Sequence, residues 1–189
     1  MGAAQAAELP RVCAGRDLKD TAWQGREQWQ AVNAVIDYQL ERLGEGSLAA
    51  IRKPAESLKS AYQAIYPMLE HLCEMTCPWC EAPCCRLADP RFDLRDLLFI
   101  HLVGAPVPMG QPRGEGHASC RYLGPRGCRL PRRSRPWICT WYLCPRQKQC
   151  LASNDLRELE EIEHAARKIK EERINTESGF IASLTELGR

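Results

Sequence analysis

The sequence is short of the ordinary means of holding a chain folded. Leu, Ile, Val and Phe together supply 38 of its 189 residues, with only 5 valines and 3 phenylalanines among them. That sits at the lean edge for a globular domain. The chain also lacks the strong net charge that accompanies such leanness in disordered proteins: 26 Lys+Arg face 24 Asp+Glu, a balance of +2. No run of 18 apolar residues occurs, which excludes a membrane-spanning helix. The first 15 residues have no basic start followed by an apolar stretch, so they do not read as a secretory signal. Ala6 stands where a myristoylation signal at Gly2 needs Ser or Thr. No serine–histidine–carboxylate set, phosphate-binding glycine loop or pair of catalytic acids stands out, and there is no internal repeat. These absences point to one cytoplasmic domain, off the membrane and without a legible catalytic apparatus, in which something besides apolar burial holds the chain together.

Cysteine is what the sequence has in excess. Of 11 cysteines, ten lie between Cys73 and Cys150, together with 10 of the 13 prolines. In a reducing cytosol, clustered thiols bind metal or do redox chemistry more often than they form structural disulfides. Cys77 and Cys80 are a C-x2-C turn, whose reversal lets two thiolates converge on one ion; Cys84 and Cys85 are adjacent; Cys120, Cys128, Cys139 and Cys144 follow after a gap. Zinc takes four such ligands, and so do iron–sulfur clusters. These eight suffice for two four-thiolate sites or one polynuclear cluster. A structural zinc site contributes on the order of 10 kcal/mol of apparent folding free energy, which would offset the lean core. Cys13 stands alone and reads as a small buried apolar residue. Cys73 and Cys150 flank the set with their roles open. His71, His101, His117 and His164 have no partner at i+3 or i+4 and read as surface or packing residues, His71 lying nearest the cysteines.

The rest of the chain reads as helical. Trp29, Val32, Ile36, Leu40 and Leu43 mark one helix face, closed by Gly44 and Gly46; Leu58, Tyr62, Ile65, Leu69 and Leu72 mark a second, with Pro54 suited to its first turn. A short helix over Leu94–Val103 is expected, capped by Asp93 and stopped by Gly104. Residues 104–118 read as an exposed loop. Beyond Cys150, Ser153, Asn154 and Asp155 are N-cap candidates for a charged helix whose face is Leu159, Ile162, Ala166 and Ile169. Gly179 separates it from a last apolar piece, Phe180, Ile181, Leu184 and Leu187. No convincing strand is present. The expected fold is mainly α: a flexible start over 1–15, a helical hairpin over 16–72 packed on the core, an irregular metal-stapled core over 73–150, and a helical segment over 151–189, all in one domain.

The motif Cys77-Pro-Trp-Cys80-Glu-Ala-Pro-Cys84-Cys85, followed by Cys120-Arg-Tyr-Leu, Gly127-Cys128 and Arg135-Pro136-Trp-Ile-Cys139 with Cys144 behind, resembles the YkgJ-type cysteine-cluster family of zinc- or iron-chelating domains. The likeness covers residues 73–150. Family members carry a glycine after the second cysteine, where this chain has Glu81. The resemblance implies a metal-binding protein of bacterial type with the eight cysteines as ligands and Arg135 and Pro136 shaping the turn before Cys139. It implies no reaction.

Two other readings compete. Between Arg113 and Lys148 there are nine basic residues and one acidic, with Trp137, Trp141 and Tyr142 among them, a composition that suits a zinc-scaffolded nucleic-acid-binding module. The same cations also balance thiolates, which carry net negative charge around a metal, and that explanation is preferred. Separately, Cys73-Glu-Met-Thr-Cys77-Pro-Trp-Cys80 resembles the cluster loop of radical S-adenosylmethionine enzymes; that loop follows a strand, whereas here a helical pattern precedes it, and only 109 residues remain for the rest of such a barrel.

Overall fold

The computed structural model describes residues 23–114, 119–125 and 127–187. The expectations for residues 1–15, Cys13 and His117 lie outside them. The described chain is mainly helical: α1 (Arg26–Arg42), α2 (Glu45–Thr76), the single-turn α3 (Cys84–Leu87), α4 (Leu94–Leu102), a hairpin of β1 (Leu123–Gly124) and β2 (Gly127–Cys128), the single-turn α5 (Ile138–Trp141), α6 (Pro145–Asn154) and α7 (Leu156–Leu187). None of its helices is long and apolar enough to cross a membrane.

The spine is the pair α2 and α7. In α2 the buried residues Ile51, Ala55, Leu58, Tyr62, Ile65, Leu69, Leu72 and Thr76 alternate steps of four and three. In α7 the buried Ile162, Ile169, Arg173, Thr176, Phe180 and Ser183 keep the same register. Such a 3.5-residue repeat keeps one seam facing its partner along the whole length. Ile51 at the start of α2 shares a core with Phe180 near the end of α7, and Leu69 and Leu72 share a second core with Ile162 and Ile169, so the helices run antiparallel. Each fully buried Leu or Ile contributes roughly 1.5–3 kcal/mol.

Several sequence expectations change here. Pro54 does not open α2; with Pro67 it lies inside the helix. Neither proline belongs to the buried seam, so each costs a backbone hydrogen bond without disturbing the packing that holds the helix. Gly46 lies in the first turn of α2, leaving only Leu43 and Gly44 as the connection. The expected hairpin partner also differs: α2 packs chiefly along α7, and α1 packs on α4. His101 of α4 bridges to α1, with Nδ1 2.7 Å from Asp37 Oδ1 and Nε2 2.7 Å from Asn33 Oδ1. Gly179 does not break the last helix either. A Cβ there would meet Ile51 Cγ2 at 3.1 Å, so the glycine lets α7 press against α2. Gly179→Leu is expected to destabilise the protein by about 1–3 kcal/mol through overpacking, read as a lower urea midpoint, while Gly179→Ala changes it less because the gain in helix propensity opposes the clash.

α4 forms as expected. Asp93 caps it, accepting from Asp96 N at 2.8 Å, and Gly104 at φ +62° turns the chain out. The helix sits between the two cores, giving Leu97, Leu98 and Ile100 to one and Phe99 to the other. The loop after it is not the exposed segment the composition suggests. The Gln111 side chain pairs with both Phe92 N (2.8 Å) and Phe92 O (3.1 Å), Trp29 Nε1 donates to Pro108 O (2.8 Å), and Tyr122 Oη donates to Gly110 O (2.7 Å). Polar side chains thus pin its described part, burying Ala105, Pro108 and Gly110 to Pro112 while Val107 and Met109 stay exposed. The cysteine-rich segment is also more ordered than its proline content implies, since α3, α5, α6 and the small hairpin all fall within it.

Candidate metal centre

Cys73 and Cys77 lie where α2 finishes, whereas Cys120 and Cys128 pack against the first core. Cys73 and Cys77 are one helical turn apart and their thiols hydrogen-bond each other. Gln147 of α6, itself buried, joins the group: its Nε2 lies 3.6 Å from Cys73 Sγ, 4.0 Å from Cys77 Sγ and 3.1 Å from Thr76 Oγ1. Its Oε1 accepts from Cys144 N at 3.2 Å, closing a capping box at the start of α6. Cys80 folds back on this corner through Cys80 N to Cys77 O at 3.2 Å. Arg146 Nη1 donates to Trp79 O at 3.1 Å, tying the Cys144 and Cys80 loops together.

A second group forms where the hairpin meets α3 and α5. β1 and β2 pair antiparallel with Leu123 opposite Cys128 and Gly124 opposite Gly127. Gly127 has φ +102°, a conformation L-residues rarely adopt, and so returns the strand that carries Cys128. Cys120 precedes the hairpin, with Leu123 N donating to Cys120 O at 3.1 Å. Cys139 lies in α5, and its N–H bonds Pro136 O at 2.9 Å. Arg135 Nε donates to Leu130 O at 2.8 Å, tying the residue before Pro136 back to the end of the hairpin. Cys84 opens α3, and Arg113 donates to Arg86 O, drawing α3 to the segment before Cys120. Cys85 is also in α3, and its side chain lies outside the described residues.

The electrostatics follow this grouping. The hydrogen bond from Cys77 is the main reason the Cys73 thiol is held down at about 6, with Arg132 and Gln147 helping against the cost of burial. Cys77 moves up, because it keeps the proton that Cys73 shares and is partly buried. Although Cys139 presents surface to solvent, protein packed around its sulfur pushes it up to about 12, and the thiols of Cys128, Cys120 and Cys84 push the same way. Cys128 is raised by burial first, against the pull of Arg135. Like charges that face one another this closely resist ionisation together. In the metal-free protein, one thiol is therefore expected to ionise at about pH 6. Iodoacetamide labelling of Cys73 should already be fast at pH 7, and Arg132→Met should slow it. Because the folded value lies below the ordinary thiol range, the stability this group contributes is present above that range and fades as pH falls through about 6.

The basic residues serve the same loops. Arg132, 6% exposed, donates to Leu69 O at 2.7 Å and to Cys73 Sγ at 3.2 Å. Its Nε lies 2.6 Å from Glu70 Oε1 as an ion pair without hydrogen-bond alignment. Arg129 donates to Arg121 O. With Arg113, Arg135 and Arg146, that makes five arginines bound to main-chain carbonyls of the cysteine-bearing segments or of α2. Beneath Cys139, Tyr62, Trp137 and Trp141 pack ring against ring at 6.0 and 5.8 Å. Asp96 reaches this floor, accepting from Trp137 N at 3.0 Å and from Arg173 Nη1 at 2.6 Å.

Cys150 packs against the second core, and Asn154 Nδ2 lies 3.8 Å from its sulfur. His71 and His164 are exposed. Sequence reasoning left Cys73 open and did not find Gln147, Asp96 or Arg173. The only signal for them was polarity at seam positions or beside a cysteine. Among the described residues, no three His, Cys, Asp or Glu side chains already converge on a single point at ligating distance. No family model, curated protein or solved structure matches the chain.

Proposed function

We propose that this protein is a metal-binding protein that holds zinc or iron, the iron as an iron–sulfur cluster, through Cys77, Cys80, Cys84, Cys85, Cys120, Cys128, Cys139 and Cys144. One observation carries the reading: Cys139, Cys128, Cys120 and Cys84 come from separate segments, yet the Cys139 thiol lies within electrostatic reach of the other three. Burial first, and these neighbours with it, oppose ionisation of Cys139. A bound cation reverses that sign and deprotonates its thiol ligands outright. The donor set fits the group: sulfur ligands suit both zinc and iron–sulfur clusters, and the buried Arg132 with the half-buried Arg135 offsets the net negative charge of a four-thiolate site. The resemblance to the YkgJ-type family supports the same conclusion.

The bound arginines favour this reading over nucleic-acid recognition, because cations spent on carbonyls and thiolates are withdrawn from phosphates. The metal itself supplies Lewis acidity or one-electron chemistry when bound. The chain's own residues supply the thiolates, the cations that lower their proton affinity, and the aromatic floor that excludes water. The test is anaerobic purification with elemental and sulfide analysis and an absorption scan. Zinc in a colourless protein, or iron with sulfide and a broad band near ~400 nm, is the expected result. A protein with neither metal, whose apo form takes up no zinc or iron, overturns the proposal.

A further inference from the structure

One buried polar side chain touches cysteines from both ends of the cysteine-rich segment, and donor and acceptor chemistry fixes which way it points. Gln147 of α6 is 5% exposed. Its Oε1 lies 3.2 Å from the backbone N of Cys144. A backbone N–H only donates, so the amide atom facing it is the oxygen, and the NH2 group points the other way. There Nε2 lies 3.1 Å from Thr76 Oγ1, 3.6 Å from Cys73 Sγ and 4.0 Å from Cys77 Sγ. The Thr76 hydroxyl donates its own proton to Leu72 O at 2.6 Å, so Oγ1 accepts one hydrogen of the amide. The second amide hydrogen faces the sulfurs.

Capping alone does not account for a glutamine here. Gln147 is the third residue of α6, where a capping box takes either Glu or Gln. A glutamate would add a favourable charge at the helix N-terminus. It has no N–H, however, and would turn a carboxylate toward two thiols. The requirement for an amide comes from the sulfur side.

We propose that Gln147 is a positioning residue of the metal centre: its Oε1 holds the turn that presents Cys144, its N–H orients the Cys77 sulfur, and metal affinity depends on both. The proposal rests on the metal-binding reading above and leaves its eight ligands unchanged. Cys73, outside those eight, shares the same N–H group and accepts a further bond from Arg132 Nη2 at 3.2 Å, so protein donors hold its sulfur beside Cys77. Hydrogen-bond partners that orient metal ligands typically contribute about 10–100-fold to metal affinity.

The experiment is competition for Zn2+ between the reduced, metal-free full-length protein and a chromophoric chelator, together with absorption spectra at Co2+ saturation. Gln147→Glu keeps an acceptor for the Cys144 N–H and loses the donor to sulfur. Gln147→Met keeps the bulk and loses both bonds. Each is expected to hold Zn2+ about 10–100-fold more weakly than the wild type. In both, the thiolate-to-Co2+ charge-transfer band should move at full occupancy, which a loss of fold stability alone does not produce. Gln149→Glu, which adds the same charge at an exposed position of α6, should bind as the wild type does. Circular dichroism checks the fold of each variant; where one is unfolded, the other decides. Wild-type Zn2+ affinity in either folded Gln147 variant overturns the proposal. So does weaker binding with an unmoved Co2+ band, or equal weakening by Gln149→Glu. A wild type that takes up no metal at all would instead sink the metal-binding proposal itself, so the two failures are distinguishable.

Discussion

Stripping the metal is expected to unfold the cysteine-bearing end of the molecule while the α2–α7 spine stays helical. The expectation follows from where the apolar cores lie. Ile51, Leu58, Ile65, Leu69, Ile162, Ile169 and Phe180 hold the spine, and Leu97, Leu98, Phe99 and Ile100 hold α4 against it. Cys120, Cys128 and Cys150 only flank those cores, whose buried members are not thiols. The segments around residues 77–90 and 119–144 contain single-turn helices and a two-residue-per-strand hairpin, and elements that short are not stable alone. Tyr122 and Leu143 anchor them in the two cores, and the rest of their order depends on arginine–carbonyl bonds and on whatever holds the sulfurs. A structural four-thiolate site contributes on the order of 10 kcal/mol of apparent folding free energy, so its removal is a large effect confined to one region. Chelation under reducing conditions should abolish near-ultraviolet dichroism from Trp137 and Trp141 and raise amide exchange over 119–144, while far-ultraviolet helix signal persists. Exchange and melting unchanged by chelator would contradict it.

Replacing Arg173 by methionine should cost about 3–5 kcal/mol, the range for breaking a buried ion pair by removing one partner. Arg173 sits at a seam position of α7 with 2% of its side chain exposed. Its Nη1 bonds Asp96 Oδ1 at 2.6 Å and its Nη2 bonds Asp93 at 2.9 Å, and its guanidinium stacks over the Trp137 ring at 5.3 Å. One side chain therefore joins α7, the cap of α4 and the turn that leads to Cys139. Without it, the buried Asp96 carboxyl keeps only the N–H groups of Trp137 and Asp93 and has no counter-charge at Oδ1. Burial already raises that carboxyl to about 7 against the opposing pull of Arg173. A carboxyl raised in the fold favours its protonated form, so the stability it contributes is present at low pH and is lost as pH rises through about 7. The variant should accordingly lose less stability at pH 5 than at pH 8, and Arg173→Lys should not restore the wild type, because an ammonium does not provide the two-pronged bond to Asp96 and Asp93. Urea denaturation at the two pH values reads both outcomes. A loss below about 1 kcal/mol would show that the pair is dispensable.

Much of the local structure was legible in the residues. Asp93 at the start of α4 and Gly104 at its end carry their own capping chemistry, and the apolar steps of α2 and α7 mark their faces without any partner in view. Other readings failed for identifiable reasons. Pro54 marks a helix start only when nothing else holds the preceding turns, and Ile51 and Ala55 hold them. Gly179 breaks a helix only if its backbone freedom is not needed for packing, and Ile51 needs that space. Arg173, Thr176 and Ser183 interrupt the apolar pattern of α7 as letters but continue its seam in space.

From the sequence alone came the helical class, the caps and the expectation that the cysteines work as a set, because periodicity, capping and thiol chemistry act over a few neighbouring residues. Only the tertiary structure decided which helices pair, that Cys73 lies against Arg132 and Gln147, and that Cys150 packs on the second core. Those outcomes depend on contacts such as Arg132 to Cys73 and Gln147 to Cys73, which close loops of 59 and 74 residues. No local pattern encodes such closures; they follow from packing α7 along α2 and carrying α6 to the end of α2.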